Sequence, residues 1–462
     1  MKTWEPPMIY AHHSHGLNKF GTRKPRSEYV DQIDGVDVEY LLRNYGSPLF
    51  VCSERSLRQR IRRVKQAFAR HYPRVTHGWS YKTNYTSAIC NIFHQEGSWA
   101  EVVSRFEYEK ARSLGVPGDR ILFNGPNKSR DILQRAVAEG AHIHLDHFDE
   151  LDLVESIARE CEKVVGVTLR LNFDTGYAEP WSRFGFNLDS GQAQAAAKMI
   201  IRSPHLRLTG LHSHIGTFIL EPRAYAEQVR RMCRFMAELE ADGEVFLESL
   251  DIGGGFPSEN ALKGVYLPPN QAVPQVEDYV QAITVALLEG TSFRESRGQV
   301  RPRLIFESGR SMVDDCESLL TTVVGTKRAG DGRRAAVLDA GVNLLFTSYW
   351  YNHRVKMTRP GVGLAESTVL YGPLCMNIDV VREAVELPPL RVGDRLLVES
   401  VGAYNNTQWM QFIEYRPAVV LIDRHSTPHV IRAAEDLSVM CAQDRLPEHL
   451  RQPFDLDEAL LG

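Results

Sequence analysis

The stretch Thr76-His-Gly-Trp-Ser-Tyr-Lys-Thr-Asn-Tyr85 decides the fold, because it joins a strand pattern to a helix pattern through a single lysine. The aromatic, apolar run ends at Lys82, and helical periodicity begins at Thr83. Strand-like and helical runs go on alternating downstream, which predicts parallel strands joined by right-handed crossovers. Lys82 would therefore stand at the carboxyl end of the first strand of a parallel sheet.

Eight strand-like runs follow one another from the lysine strand onward, at residues 75–82, 98–104, 121–124, 142–147, 164–172, 206–214, 249–253 and 303–307. Helical patterns lie between them, at residues 105–114, 129–139, 149–161, 190–202, 222–242 and 275–290. Eight parallel strands is the number that closes a barrel filled by its own side chains. The sequence therefore predicts an α/β fold with a (β/α)8 barrel of the TIM type, in which the basic helix of residues 55–71 covers the gap after the eighth strand.

The sequence pattern changes after about residue 316, where short β-rich segments are separated by glycine and proline. This pattern predicts a second, mostly antiparallel β-barrel domain. We expect an N-terminal segment of residues 1–50 that joins this domain, a first barrel over 51–315, the β-domain over 316–435, and a C-terminal tail over 436–462.

Bulk composition excludes several classes of protein. The 462 residues are 43% hydrophobic and 24% charged, which is typical of a globular chain. No basic patch indicates nucleic acid, no apolar run reaches ~18 residues for a membrane span, and the N-terminus lacks a signal core. Seven cysteines without paired spacing indicate a reducing compartment, so we expect a cytoplasmic protein. His12, His13 and His15 lack acidic or cysteine partners nearby, so no metal site is predicted.

Lys82 is the first candidate for chemistry. Aromatic walls and poor solvation lower the pKa of an ammonium group and free its lone pair, which suits a Schiff base with an aldehyde cofactor. The alternative is a lysine that points into water, since lysines are mostly exposed. The choice between them depends on the other strand ends.

The last strand ends carry polar and glycine-rich segments. Gly253, Gly254 and Gly255 expose backbone N–H groups after strand seven, where such barrels favour phosphate, and Arg310 could add a bidentate contact. Glu307 could keep a pyridine nitrogen protonated, and His214 could lie flat against a ring. A structural salt bridge and a buried core histidine are the alternatives for these two.

The ordered set of motifs resembles the pyridoxal-phosphate decarboxylases typified by diaminopimelate and ornithine decarboxylases, and most of all the diaminopimelate branch. The likeness runs from about Gly35 to Glu435. It rests on Tyr45-Gly-Ser-Pro-Leu-Phe-Val51, Tyr81-Lys-Thr-Asn84, Val102-Val-Ser104, Asn127-Lys-Ser129, Arg183-Phe-Gly-Phe186, His212-Ser-His-Ile-Gly216, Gly253-Gly-Gly-Phe256, Glu307-Ser-Gly-Arg310, Gly372-Pro-Leu-Cys375 with Asp379, and Gly402-Ala-Tyr404.

The resemblance implies a barrel with a β-domain, bound pyridoxal 5'-phosphate, and a homodimer with active sites at the interface. It implies that Lys82 binds the cofactor covalently, that His214 stacks on the ring and that Glu307 pairs with the pyridine nitrogen. It assigns the phosphate to Thr217, Gly253, Gly254, Gly255, Gly309, Arg310 and Tyr404. Cys375 would come from the partner subunit and return a proton after carbon dioxide leaves. Thr347, Tyr351, Met376 and Asn377 would surround the amino-acid substrate.

Four positions depart from the family pattern. Glu101 replaces an aspartate and Ser308 replaces a proline, and both changes are mild. Met376 replaces a carboxylate that receives the far ammonium of the substrate, and a thioether cannot balance a buried cation. Thr347 replaces an arginine that grips the distal carboxylate of diaminopimelate.

We therefore predict a decarboxylase for an amino acid or amino-acid conjugate other than diaminopimelate, as in siderophore or other secondary pathways. Diaminopimelate decarboxylase making L-lysine is the alternative. A racemase on the same barrel is another, although such racemases pair the ring nitrogen with arginine where this chain has Glu307. A non-catalytic relative would lack Lys82 or the cofactor contacts, which are all present.

Overall fold

The computed structural model describes residues 29–241 and 243–451. His12, His13 and His15 lie outside the described residues, as does the predicted tail beyond residue 451. No helix within the described ranges is both long and apolar enough to cross a membrane.

The first part of the chain forms a closed barrel of eight parallel strands, which confirms the predicted fold class. The ring closes because strand one pairs with strand eight in parallel register, Thr76 opposite Ile305. In chain order the strands are Val75–Ser80, Trp99–Val102, Ile121–Phe123, His142–Leu145, Val165–Asn172, Leu206–Ser213, Ser249–Asp251 and Arg303–Phe306. Each is shorter than its predicted run, because the polar strand ends leave the ladder to form loops.

Eight helices surround this barrel, and side-chain caps fix the start of several of them. Ser53 Oγ accepts from Ser56 N at 3.1 Å, and Ser104 Oγ accepts from Glu107 N at 3.2 Å. The helices are Glu54–Ala69, Ser87–Gln95, Arg105–Ser113, Arg130–Glu139, Phe148–Glu160, Gln192–Arg202, Pro222–Leu239 and Val276–Gly290. The first of them packs between the last and the second and buries Phe68 against Phe306 of strand eight, so it covers the predicted gap. Shorter helices occupy Val38–Tyr45, Pro269–Ala272, Ser292–Ser296, Arg310–Val313 and Leu437–Met440.

A second sheet is built mainly from the C-terminal part of the chain and is mostly antiparallel, as predicted. Its strands are Leu49–Ser53, Glu317–Arg328, Arg334–Leu338, Val355–Met357, Glu366–Tyr371, Val380–Leu387, Arg395–Val398, Val419–Ile422 and Pro428–Arg432. The long strand from Glu317 pairs with three neighbours, so the hydrogen bonding follows a branched sheet and not a closed ring. Leu49–Ser53 pairs within this sheet, in parallel with Val419–Ile422.

Two further short strand pairings, and one segment that returns from the second sheet to the barrel, complete the fold of the described residues. Gln32–Ile33 and Val36–Asp37 form a hairpin next to the first short helix, and Phe186–Asn187 pairs in parallel with the end of barrel strand five. The segment 400–406 matters most for function, because it leaves the second sheet and returns to the carboxyl end of barrel strand one. There Tyr404 N donates to Thr83 O at 2.8 Å, and Asn84 Nδ2 donates to Gly402 O at 3.0 Å.

Candidate active site

A cavity of about 330 Å³ opens at the carboxyl ends of the barrel strands, beneath the 400–406 segment. Loops at this end carry the chemistry of TIM-type barrels. Nine of the residues singled out from the sequence line this one cavity: Lys82, His214, Thr217, Gly254, Gly255, Glu307, Gly309, Arg310 and Tyr404. They come from strands one, six, seven and eight and from the second sheet, so only the closed barrel brings them together.

Lys82 lies in the turn directly after strand one and its amine forms an ion pair with a buried carboxylate. Lys82 Nζ is 2.5 Å from Glu101 Oε2, and the Glu101 side chain has no exposed surface. Burial alone lowers the pKa of Lys82, but the Glu101 and Glu307 carboxylates raise it more, so the pKa lies above its ordinary value. This corrects the expectation of a lowered pKa. The aromatic sequence neighbours of Lys82 indicated desolvation, but the carboxylates that face it come from other strands.

Glu307 ends strand eight on the cavity floor and is 4% exposed. Asn124, from the end of strand three, donates through Nδ2 to Glu307 Oε1 at 2.6 Å and to Glu101 Oε1 at 3.0 Å. One amide therefore fixes both carboxylates of the cavity. Asn124 is the last residue of the predicted run 121–124, but the shared contact required the fold.

His214 lies in the loop after strand six and presents one ring nitrogen to the glycine loop. Gly254 N donates to His214 Nδ1 at 3.0 Å, so Nδ1 is an acceptor and the proton of the neutral ring is on Nε2. Burial, together with the charges of Arg170 and Lys82, lowers the pKa of His214 to about 3. The His214 imidazole is therefore uncharged at working pH. The centroid of the Trp181 ring lies 5.1 Å from the centroid of the imidazole, in an edge-on arrangement.

The glycine run after strand seven is needed for close packing. A Cβ on Gly254 would lie 2.5 Å from Glu307 O, and one on Gly255 would lie 2.4 Å from Gly216 O. Gly255 also has φ +95°, a left-handed conformation that disfavours other residues. Gly253 packs against His214 and does not line the cavity.

Arg310 closes the opposite wall and lacks a partner for part of its charge. Its Nη2 donates to Thr217 Oγ1 at 3.4 Å, whereas the buried Nη1 meets no hydrogen-bond acceptor among the described residues. Its guanidinium lies 4.7 Å from the Tyr404 ring and 5.3 Å from the Tyr351 ring. A half-buried cation held by aromatic faces, with a free N–H, is suited to an anion such as a phosphate.

Two predicted substrate contacts are placed elsewhere. Thr347 is 1% exposed and does not line the cavity, because its Oγ1 is 2.9 Å from both His353 Nε2 and Asn405 Oδ1. Tyr351 is 2% exposed and also lies outside the cavity lining. It packs behind Arg310 and so supports the cavity wall indirectly.

The loop of residues 372–379, here called the Cys375 loop, also lies outside the cavity lining of this chain. Cys375 and Asn377 are exposed and Met376 is half-buried. Asp379 holds the loop in shape, since its carboxylate accepts from Leu374 N at 2.7 Å and from Val342 N at 2.8 Å. The side chains of Cys375 and Asn377 are therefore accessible from outside the chain.

Three further cavity residues were given no role in the site from the sequence. Arg170 lies near the carboxyl end of strand five and stacks on Phe184, with its guanidinium 4.6 Å from the ring. Trp181 belongs to the loop that follows the strand. A charged residue within an otherwise apolar strand could have revealed Arg170. Phe184 belongs to the quoted motif Arg183–Phe186 but received no role, and Trp181 gave no indication because its loop reaches the cavity only through the path of the chain.

Comparisons with known proteins agree with this geometry. Residues 54–314 match the family model described as pyridoxal-dependent decarboxylase, pyridoxal binding domain. Diaminopimelate decarboxylase of Bacillus subtilis (strain 168) is 28% identical over 89% of this chain and 94% of its own length. Diaminopimelate decarboxylase of Actinosynnema pretiosum subsp. auranticum is 30% identical over 85% and 86%.

Solved structures show the same fold over nearly the whole described chain. The crystal structure of diaminopimelate decarboxylase from M. jannaschii matches with a TM-score of 0.83 and 27% identity, covering 92% of this chain and 99% of that one. The matched family model spans more than half of this sequence and all eight barrel strands. The chain thus belongs to the pyridoxal-dependent decarboxylases, enzymes that use pyridoxal phosphate to release a carboxyl group from an amino acid.

Proposed function

We propose that this chain releases the α-carboxyl group of diaminopimelate as carbon dioxide, with pyridoxal 5'-phosphate bound in the 330 Å³ cavity. The observation that carries the cofactor site is the convergence of Lys82, Glu307 and Arg310 on one cavity. The relatives that support the substrate are all diaminopimelate decarboxylases. They favour the alternative of the sequence analysis over its main prediction of a different substrate.

The phosphate would occupy the wall formed by Arg310, Thr217 and the glycine loop. The unpartnered Nη1 of Arg310 supplies a charged donor, and the loop of Gly254 and Gly255 presents its backbone to the cavity. Gly253 and Gly309 act through packing: a Cβ on Gly309 would lie 2.0 Å from Thr83 Oγ1. Tyr404 closes the wall over Arg310.

The ring would lie between His214 and the floor carboxylate. A neutral His214 offers a flat face without charge repulsion toward a protonated ring, and Glu307 holds the proton on the ring nitrogen. Bound pyridoxal phosphate supplies the electron sink for the pair left when the carboxyl group departs. The protein contributes the position of the ring and the charge opposite its nitrogen.

Lys82 must lose a proton before its amine can react with an aldehyde. Glu101 is the acceptor, because its Oε2 lies 2.5 Å from the amine and the site offers Ser80 Oγ and Asn124 Nδ2 to share the charge. The raised pKa of Lys82 belongs to the chain without cofactor. Glu307 is one of the two carboxylates that raise the pKa of Lys82. A protonated cofactor ring beside Glu307 would offset its negative charge and so reduce that effect.

Cys375 would return the proton to the substrate from a second subunit. Its loop is exposed and lies outside the cavity of its own chain, which supports a homodimer with active sites at the interface. Met376 and Asn377 of the same loop would then border the substrate at that interface, whereas the buried Tyr351 would support Arg310 from behind. All seven cysteines are free thiols, which supports a cytoplasmic location.

A different amino acid is the second candidate substrate, and a specific observation favours it. Thr347 is buried and bonded to His353 and Asn405, so it cannot replace the arginine that the family resemblance implies for a distal carboxylate. Met376 likewise offers no charge to a distal ammonium. A substrate with a neutral or conjugated far end would need neither group.

A carbon dioxide release assay separates the two candidates. Purified holoenzyme is tested with diaminopimelate, lysine, ornithine and N-acylated basic amino acids at equal concentrations, and products are identified by mass spectrometry. Formation of lysine from diaminopimelate at the highest kcat/KM supports the proposal. A higher kcat/KM for a conjugated amino acid supports the second candidate. The Met376→Glu variant sharpens the test, because a carboxylate there should raise kcat/KM only for substrates with a far ammonium.

A further inference from the structure

The cavity floor continues into a buried polar cluster that the proposed cofactor contacts do not explain. Glu307 is surrounded by Asp251 at the end of strand seven, His212 at the end of strand six and His144 in strand four. One nitrogen or oxygen atom from each of the four lies within 4.8 Å of the others. Asp251 has no exposed surface, and the two histidines are 1% exposed.

Among the described residues, only one of the two carboxyl oxygens of Asp251 accepts a hydrogen bond. Oδ1 accepts from Gly253 N at 2.9 Å. Within the described ranges, no donor reaches Oδ2, which is buried. The Asp251 side chain lies within hydrogen-bonding reach of the Glu307 carboxylate, inside the 4.8 Å cluster. Two carboxylates this close in a buried site cannot both be ionised without a large cost. A proton between them satisfies both.

The neighbouring histidines do not supply this proton. Burial lowers the pKa of His212 and of His144 well below the ordinary value, and the charge of Arg170 lowers that of His212 further. His212 Nε2 lies 3.4 Å from Glu307 Oε2, and neither of its ring nitrogens makes a hydrogen bond among the described residues. Both rings are therefore neutral at working pH, and the proton must lie on a carboxyl group.

We propose that Asp251 is a positioning residue that carries a proton and donates it in a hydrogen bond to Glu307, which leaves the negative charge on Glu307 facing the cavity. Burial and the Glu307 charge both raise the pKa of Asp251 well above its ordinary value, which agrees with a neutral acid. Glu307 then receives two donors, Asn124 Nδ2 and the Asp251 hydroxyl. Its remaining acceptor capacity is directed at the cavity.

The charges that face this pair come from several elements. Lys82, in the turn after strand one, and Glu101, on strand two, lie near this pair, as does Arg170 on strand five. Asp251 thus sets the charge of the group that would hold the ring nitrogen. The inference rests on the proposed pairing of Glu307 with that nitrogen and is independent of the substrate.

Two substitutions at Asp251 distinguish a proton donor from an ionised carboxylate. Asp251→Asn is nearly isosteric, and its side-chain amide would accept from Gly253 N and donate to Glu307. We therefore expect the dissociation constant of pyridoxal phosphate to stay within about twofold of wild type in this variant. Asp251→Ala removes the donor to a charged group and should weaken binding roughly tenfold to a hundredfold. A second readout is the pH midpoint of the visible absorption of the bound cofactor, which Asp251→Asn should leave unchanged and Asp251→Ala should shift.

The controls separate this role from a structural one. Asp394→Asn neutralises a buried carboxylate of the second sheet and should change neither readout. Melting temperatures of the cofactor-free proteins report folding, and Asp251→Ser replaces Asp251→Ala if the alanine variant does not fold. Both readouts are taken without substrate, so failure to decarboxylate diaminopimelate would leave them interpretable.

Three results would overturn the proposal. Equal loss of cofactor affinity in Asp251→Asn and Asp251→Ala would show that an ionised Asp251 is required. Unchanged affinity and pH midpoint in a folded Asp251→Ala would show that it has no role. Stoichiometric zinc in the holoenzyme, removed by a chelator and absent from Asp251→Asn, would show that the cluster binds a metal ion in place of the proton.

Discussion

The cavity and the Cys375 loop differ in whether residues of the same chain surround them. In the cavity, Lys82, Glu101, Asn124 and Glu307 are held by contacts of 2.5 to 3.0 Å between buried or half-buried groups. In the Cys375 loop, the backbone is fixed by Asp379, but Cys375 and Asn377 are exposed and no residue of the loop lines the cavity in the described chain.

This difference teaches that one chain is sufficient to line the cavity proposed for the cofactor, whereas the proposed acid faces outward. Preorganised charges need a buried, rigid surrounding, which the closed barrel supplies. An exposed thiol on a rigid loop is useful only if another surface receives it.

Loss of Lys82 should have the largest effect. Lys82→Ala removes the only amine that lines the cavity in the described chain, so decarboxylation should fall by roughly a thousandfold or more. The visible absorption of the bound cofactor should shift as well, as measured by spectroscopy of the purified variant. Lys327→Ala in the second sheet is the matched control, and an unchanged spectrum in Lys82→Ala would refute the assignment of Lys82.

Loss of Cys375 should lower carbon dioxide release by roughly a hundredfold with little change in cofactor affinity, because only the proton donor is removed. If the loop serves the partner subunit, a heterodimer of Lys82→Ala and Cys375→Ala chains contains one intact site of two. Two different affinity tags allow this heterodimer to be purified after co-expression, and its activity should be about half that of wild type. Activity no higher than that of the parent variants would mean that the loop serves its own chain.

The smallest effect is expected on stability, at the anchor of the 400–406 segment. Burial raises the pKa of Glu317 to about 8, above the ordinary carboxyl value, although Asn406 and Asn84 donate to it. A carboxyl group with a raised pKa stabilises the fold fully below its unfolded pKa of about 4 and loses this contribution as pH rises to 8. Wild type should lose on the order of 2 kcal/mol of unfolding free energy between pH 6 and 9 from this group.

Glu317→Gln keeps the shape without the titration, so its unfolding free energy should change less over the same pH range. Urea unfolding at several pH values measures this difference. Equal pH dependence in both proteins would show that Glu317 is not the group responsible. A cofactor affinity that follows the same pH trend would link this anchor to Tyr404, which the segment carries into the cavity.

Sequence patterns predicted the barrel because period and length are local properties. Each strand from Val75–Ser80 to Arg303–Phe306 is a short apolar run between helical patterns, and the structure shortens these runs by at most a few residues. The branched second sheet was harder to predict, since the strand beginning at Glu317 pairs with three partners far apart in the chain. Non-local pairing of this kind leaves little trace in a local pattern.

In the candidate site, too, local sequence patterns predicted some features, whereas others depend on contacts between distant parts of the chain. Lys82, Glu307 and Arg310 were found at strand ends because polar residues there interrupt apolar runs. The sequence alone predicted which groups would hold a pyridoxal phosphate, and it places Cys375 and Met376 next to each other in the chain. Only the tertiary structure decided that Glu101 raises the pKa of Lys82, that Thr347 is bonded to His353 and Asn405, and that Asp251 faces Glu307. Charge state and hydrogen bonding depend on distances across strands, and a sequence does not contain those distances until the barrel closes.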